Sequence, residues 1–138
     1  MSTNLTTANQ FFEACDTGKG WEGCKSYCHP EASFSSQTTV LAEISTLEDY
    51  CEWMRNLFTP IPDGRYELKF IAEDEARNSV AAYAVFHGTQ TGEGGPVPAT
   101  GNSIDTDYVC HMEFDGNSIK HMTKIWNDTV CLQQLGWA

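Results

Sequence analysis

The sequence predicts an α+β domain in which N-terminal helices pack on a curved, mostly antiparallel sheet that ends in a short C-terminal helix. Three observations lead there. Apolar residues recur at helical spacing early in the chain, as in Leu5, Ala8, Phe11, Phe12 and Cys15. From Arg65 onward the pattern changes to period two and holds through four long segments. Helices first and then a run of strands is the order of an α+β fold. The 138 residues suit a single domain, 1–138, with one core.

The elements follow in order. Residues 5–16 form the first helix, which Gly18 and Gly20 end. A second, short helix spans 21–27 and is stopped by Pro30. Ala32 and Phe34 alternate with polar residues in a short strand over 31–37. Thr46 caps a third helix whose first turn carries Glu48 and Asp49, near the positive end of the helix dipole. Tyr50, Trp53, Met54, Leu57 and Phe58 follow, and Pro60 and Pro62 terminate it. Strands are expected over 65–75, 79–91, 103–114 and 118–128. Residues 73–78 turn between the first two, and 92–101 form a Gly/Pro-rich loop. Asp115-Gly116 marks a tight hairpin between the last two. The closing helix covers 129–135.

Composition narrows function. Hydrophobic residues make up 41% and aromatics 12%, which fits a folded globule. No apolar run has membrane-span length, and the N-terminus lacks a basic region followed by an apolar one, so the expected compartment is the cytoplasm. Nineteen acidic and eight basic residues give a net charge of −11, which repels phosphate backbones and anionic lipid; neither nucleic acid nor membrane is an expected partner. Six cysteines without a secretion signal read as reduced thiols. Cys24, Cys28 and His29 cluster without a second ligand pair, so no metal site is expected.

A regular ladder through the last hairpin sets Phe114 opposite Ile119, Met112 opposite His121, Cys110 opposite Thr123, Tyr108 opposite Ile125 and Thr106 opposite Asn127. This face is expected to look inward, because the other carries Asp105, Asp107, His111, Glu113, Lys120, Lys124 and Asp128, and unpaired buried charge is costly. Val109, Met122 and Trp126 then make an apolar patch on the outer face, which predicts a homodimer through the sheet. The inward row of Thr106, Tyr108, His121, Thr123 and Asn127 reads as the wall of a pocket for a hydrophobic small molecule.

Two stretches carry a family resemblance. His87-Gly88-Thr89-Gln90-Thr91-Gly92-Glu93, continuing through Pro96, Pro98, Thr100 and Gly101, is similar to a G-T-H-T-G…P-P-T-G loop. Asp115-Gly116, Ile119 and Gln134-Leu135-Gly136 are similar to a D-G-K-I…W…D…Q-L-G ending. Both belong to the SnoaL-like polyketide cyclase branch of the NTF2-like superfamily, which the chain resembles over nearly its whole length. The resemblance implies a cone-shaped, cystatin-like α+β barrel with its pocket between sheet and helices, often dimeric. It also implies chemistry without cofactor or metal, in which an aspartate on the last strand takes and returns a proton.

The sequence departs from that pattern at the decisive place. Counted without a gap, the family's aspartate falls on Asn127 and the histidine of its T-H-T-G falls on Gln90. An amide is no general base near neutral pH. Two readings stay open. A one-residue bulge before Asp128 turns that carboxylate inward, beneath a roof of Trp126. Otherwise the ladder is regular, Asn127 points in, and Asp128 caps the last helix. His121 and Asp128 are the candidate acid/base groups, and Tyr108, Thr123, Asn127, Gln90, Trp126 and Trp21 the candidate ligand-binding residues. Two functions follow from this set: a cofactor-independent cyclase, isomerase or hydrolase acting on an apolar ring-type or polyketide-like molecule, or a non-catalytic binding or dimeric scaffold protein with the same fold.

Overall fold

A computed structural model describes residues 2–138. Helix α1 spans Thr3–Asp16, and the Ser2 hydroxyl caps it by accepting from the Leu5 N–H at 3.1 Å. Its buried stripe is Ala8, Phe11, Phe12, Cys15 and Asp16. Gly18 takes φ +80°, and a Cβ there would meet the Phe58 ring at 2.7 Å, so the turn into α2 (Gly20–Cys24) requires glycine. A 3-10 turn over Lys25–Tyr27 leads into β1 (Cys28–Ser36). The second helix is therefore shorter than expected, and Pro30 lies inside an edge strand rather than stopping a helix. Helix α3 (Leu47–Leu57) has Thr46 as its cap and buries Leu47, Tyr50, Cys51 and Met54.

Four long strands follow: β2 (Arg65–Asp74), β3 (Ser79–Thr89), β4 (Ser103–Asp115) and β5 (Ser118–Trp126). Helix α4 (Asp128–Leu135) closes the chain. The five strands form one sheet in the order β1-β5-β4-β3-β2. β1 runs parallel to β5, and every other pair is antiparallel. α1 and α3 cover one face of this sheet, with Phe11, Phe12, Tyr50 and Met54 packed on Met112, Phe114, Ile119 and Met122. The α+β architecture and its order of elements are those the sequence predicts.

The register of β5 is not. Phe114 pairs with Ile119 as expected, but Glu113 then pairs with His121, His111 with Thr123, Cys110 with Lys124 and Tyr108 with Trp126. Lys120 is the extra residue of a bulge, and from there on every side chain of β5 lies on the face opposite to the regular expectation. Met122 is buried and Trp126 half-buried on the helix-facing side, while Ile125 is 63% exposed on the other. A regular ladder would leave Met122 and Trp126 in water; the bulge hides both, and it brings Lys124 inside with them. β2 repeats the device. Its register shifts between Leu68 and Phe70, so Lys69 is unpaired and Phe70 is 59% exposed.

Of the two readings left open for the end of β5, the structure has a bulge and a buried Asp128, as in the first, and neither the inward Asn127 nor the Asp128 cap of the second. Asn127, exposed, is the cap of α4 and accepts from the Val130 N–H at 3.3 Å. Asp128 is buried. Its carboxylate accepts from the backbone N–H groups of Thr39 and Val40, at 2.8 and 3.1 Å.

Candidate functional site

Between the helices and the inner face of the sheet lies a cavity of about 380 Å³. Its wall takes Trp53 and Leu57 from α3, Tyr108 from β4, Lys124 and Trp126 from β5, Leu132 from α4 and Trp137 from the C-terminal segment. Nearly all of this surface is carbon. Lys124 is the one charged residue in the wall, and it is only 5% exposed.

The surroundings of Lys124 explain how a cation sits there. Its Nζ donates to the Tyr50 hydroxyl at 2.9 Å. Four aromatic rings enclose it, with centroids at 4.7 Å (Trp126), 4.9 Å (Tyr108), 5.0 Å (Tyr50) and 5.5 Å (Trp53). Ring faces attract a cation, and more so in a desolvated site. The rings are themselves fixed. Trp126 Nε1 donates to Thr106 Oγ1 at 2.8 Å, Tyr50 stacks on Phe34 with centroids 4.4 Å apart, and Tyr108 stacks on Phe12. The bulge at Lys120 brings this cage together, because only the shifted register points Lys124 and Trp126 the same way as Tyr108.

Behind Tyr108 lies a carboxylate. Asp16, the last residue of α1, is 2% exposed and accepts a hydrogen bond from the Tyr108 hydroxyl. Burial pushes its carboxyl from 3.8 up to about 6; the positive charge of Lys124 and the Tyr108 hydrogen bond pull the other way without overcoming it. Burial and the charge of Asp16 raise Tyr108 far above the ordinary phenol range, and burial does the same to Tyr50. Both tyrosines therefore remain hydroxyl donors. Asp16 and Lys124 thus bracket Tyr108, which has its hydroxyl on the carboxylate and its ring over the ammonium.

Of the residues singled out from sequence, Tyr108 and Trp126 stand in the cavity wall. His121 and Thr123 lie on the opposite face of the sheet. There Ser33 Oγ is 2.6 Å from His121 Nδ1, and Ser35 Oγ and Thr123 Oγ1 are each 3.1 Å from its Nε2. Trp21 is half-buried in the helical layer, where its backbone N–H donates to Glu52 at 2.9 Å. Gln90 is buried under the 92–101 loop, and its Oε1 accepts from Thr100 N and Oγ1 at 2.9 and 2.7 Å. Asp128 holds the loop that presents Val40 to the cavity. Sequence reasoning missed Asp16, Lys124 and Trp53. Asp16 had a signal, since it continues Ala8 and Phe12 in steps of four along the buried stripe of α1. Lys124 had none without the bulge.

One thiol cluster offers several donors. The Sγ atoms of Cys15, Cys24 and Cys51 all lie within 4.8 Å of one another, from three helices. All three are buried and none lines the cavity. Hydrogen bonds from its neighbours and burial hold the Cys15 thiol well above its ordinary range, as suits a packed, protonated group.

Known proteins agree with this architecture. A candidate SnoaL-like polyketide cyclase from Jannaschia sp. CCS1 superposes with a TM-score of 0.79 at 16% identity, covering 99% of this chain and 93% of that one. IdmH, a candidate polyketide cyclase from Streptomyces antibioticus, gives 0.76 at 21% identity over 98% and 99%. AclR, a candidate hydroxylase from Streptomyces galilaeus, gives 0.79 at 19% identity over 98% and 82%. These likenesses concern the fold, which is shared by proteins described with different chemistries. No curated protein matches the chain. The family model described as SnoaL-like polyketide cyclase matches residues 6–135, almost the whole sequence, and the chain belongs to that family.

Proposed function

We propose that the cavity binds an apolar, ring-type or polyketide-like carbonyl compound and that the protein carries out cofactor-independent proton transfer on it, of the cyclase or isomerase kind. The observation that carries this reading is Lys124, a single cation in an otherwise apolar wall. A ligand carbonyl placed against its Nζ gains most as the oxygen becomes an enolate, since negative charge then develops beside a fixed positive group in a dry site. In this reading Tyr108 relays the α-proton, its oxygen accepting that proton as its own passes to Asp16, so no free tyrosinate forms; the Tyr108–Asp16 hydrogen bond supports the second half of the relay. A carboxyl near 6 is well matched to proton transfer around neutral pH. In this proposal the acid/base role expected of His121 and Asp128 passes to Tyr108 with Asp16, while Asp128 shapes the wall through Val40. Trp137 Nε1, buried at the cavity wall and without a hydrogen-bond partner among the described residues, is a further donor for a ligand oxygen.

The test is deuterium uptake at the α-carbon of enolisable ring ketones such as 2-tetralone, followed by NMR in heavy water. Wild type is expected to accelerate uptake, and Lys124→Met to lose about 100-fold or more of that acceleration. Ketones that raise the melting temperature without any protein-dependent exchange would leave a binding protein and end the catalytic reading.

We also propose that the protein is a homodimer through the outer face of the sheet. Phe70, Tyr83, Val109 and Ile125 are register partners in adjacent strands and cross that face as one apolar row. Met122 and Trp126, expected in such a patch, point inward instead.

A further inference from the structure

The amine of Lys124 is underused by its surroundings. Of its three donor positions one is taken, by Tyr50, and no carboxylate lies within ion-pair distance among the described residues. The remaining positions face aromatic rings at 4.7–5.5 Å. Lys19, Lys25, Lys69 and Lys120 are all exposed, so Lys124 is the only lysine a cavity-bound molecule reaches.

We propose that Lys124 is a nucleophile as well as a cation, and that it condenses with the carbonyl carbon of a bound aldehyde or ketone to form an imine. A lysine amine in an apolar pocket is the residue type used for this chemistry. The balance is simple. The Lys124 ammonium and one carbonyl compound give the protonated imine and one water; the new C=N bond replaces C=O, and the carbonyl oxygen leaves in the water. Charge is conserved through the step, so the four rings that stabilise the ammonium stabilise the iminium equally. The ammonium first passes one proton through the Tyr50 hydroxyl, 2.9 Å from Nζ, to the carbonyl oxygen; the lone pair this frees attacks the carbonyl carbon, and a second proton from nitrogen leaves with the hydroxyl as water. An iminium withdraws electrons from its α-carbon more strongly than a carbonyl does, so the same site would also cleave apolar β-hydroxy ketones by retro-aldol reaction. The inference rests on the cavity being the ligand site, as in the proposed function.

The experiment is reductive trapping. Folded protein is mixed with 2-naphthaldehyde and sodium cyanoborohydride, and adducts are located by peptide mass mapping. Lys124 is expected to be labelled about tenfold or more faster than any exposed lysine, through proximity in the cavity. Excess 2-naphthylmethanol, which binds but cannot condense, should suppress only the Lys124 adduct, a control that needs no variant. Lys124→Arg should lose that adduct and keep the slow surface labelling. A melting-temperature rise with 2-naphthaldehyde but no preference for Lys124 would overturn the imine and spare the cavity reading. No rise and no preference would overturn both.

Discussion

Asp16 is the residue on which stability and chemistry pull apart. Its buried carboxyl stands at about 6 in the folded protein against an ordinary 3.8. The folded state therefore keeps a proton that the unfolded chain has already lost between those values. Asp16's contribution to stability is present below about 4 and declines as pH rises through about 6, at a cost on the order of 3 kcal/mol by neutral pH. The groups facing it are Tyr108, Lys124, Cys15 and Cys24, and of these only Lys124 brings positive charge. Asp16→Asn keeps an acceptor for Tyr108 and removes the ionisation. It should melt higher than wild type at pH 7.5, match it near pH 4, and lose ketone exchange at pH 7.5, where the wild-type carboxylate is ionised. Urea titrations at the two pH values check this. A variant less stable than wild type at pH 7.5 would mean that attraction to Lys124 outweighs the cost of burial. Lys124→Met, the same length without the charge, removes the only positive charge facing Asp16 and should cost more stability at pH 7.5 than near pH 4 in the same titrations. Loss of the proposed ketone exchange alongside gained stability in Asp16→Asn would mark Asp16 as an ion kept for function rather than for stability.

At the scale of elements, leaving Lys120 out of the ladder decides which row of β5 faces the site. Lys120 is exposed, so Lys120→Ala should change stability by less than about 0.5 kcal/mol. Deleting Lys120 removes the bulge and returns the strand to a regular ladder. The pairs beyond it are unchanged, with His121 opposite Glu113 and Met122 opposite Met112, so Met122, Lys124 and Trp126 keep facing in. The deletion should fold, keep Trp126 emission near the wild-type wavelength and still bind ligand, which a fluorescence titration reads; a red shift with loss of binding would mean that the bulged geometry itself holds the cage. Much of the fold was legible without coordinates because its signals are local. The Thr46 cap, the Gly18 turn and the Asp115-Gly116 hairpin each need only a few neighbouring residues. The bulge is different. In the stretch from Ile119 to Trp126 both alternating rows mix apolar and polar side chains, so period two does not choose a phase; packing of Met122 and Trp126 against the helical layer does. The expected polar row of His121, Thr123 and Asn127 was read from the wrong phase, and the cage of Lys124 was hidden for the same reason. A fainter sign was there: the register-breaking residues of both β2 and β5 are lysines, Lys69 and Lys120, whose long side chains reach solvent from a bulge.

At the scale of the molecule, shape and charge act against each other on the outer face. The row Phe70–Tyr83–Val109–Ile125 runs across four strands, with Phe70 59% and Ile125 63% exposed. Large exposed apolar side chains in one contiguous row are more than a monomer ordinarily shows to water. Around them stand Asp105, Asp107 and Glu113, and each copy carries a net charge of −11. Two such faces meet only by overcoming that repulsion, which salt screens within about 8–10 Å at 0.10–0.15 M. Association should therefore tighten as salt rises, opposite to the behaviour of an interface held by ion pairs. Sedimentation velocity at micromolar protein should show a dimer at 0.15 M NaCl, a shift toward monomer at 0.01 M, and further tightening at 0.5 M. Ile125→Asp places a charge at the β5 end of the row, on one of its two most exposed members, and should give monomer at every salt concentration. The cavity lies on the other face of the sheet, so this variant should still bind ring ketones, and its thermal shift with 2-tetralone should match that of wild type. A wild-type monomer throughout the salt series would remove the dimer, leaving the row as surface that this fold tolerates.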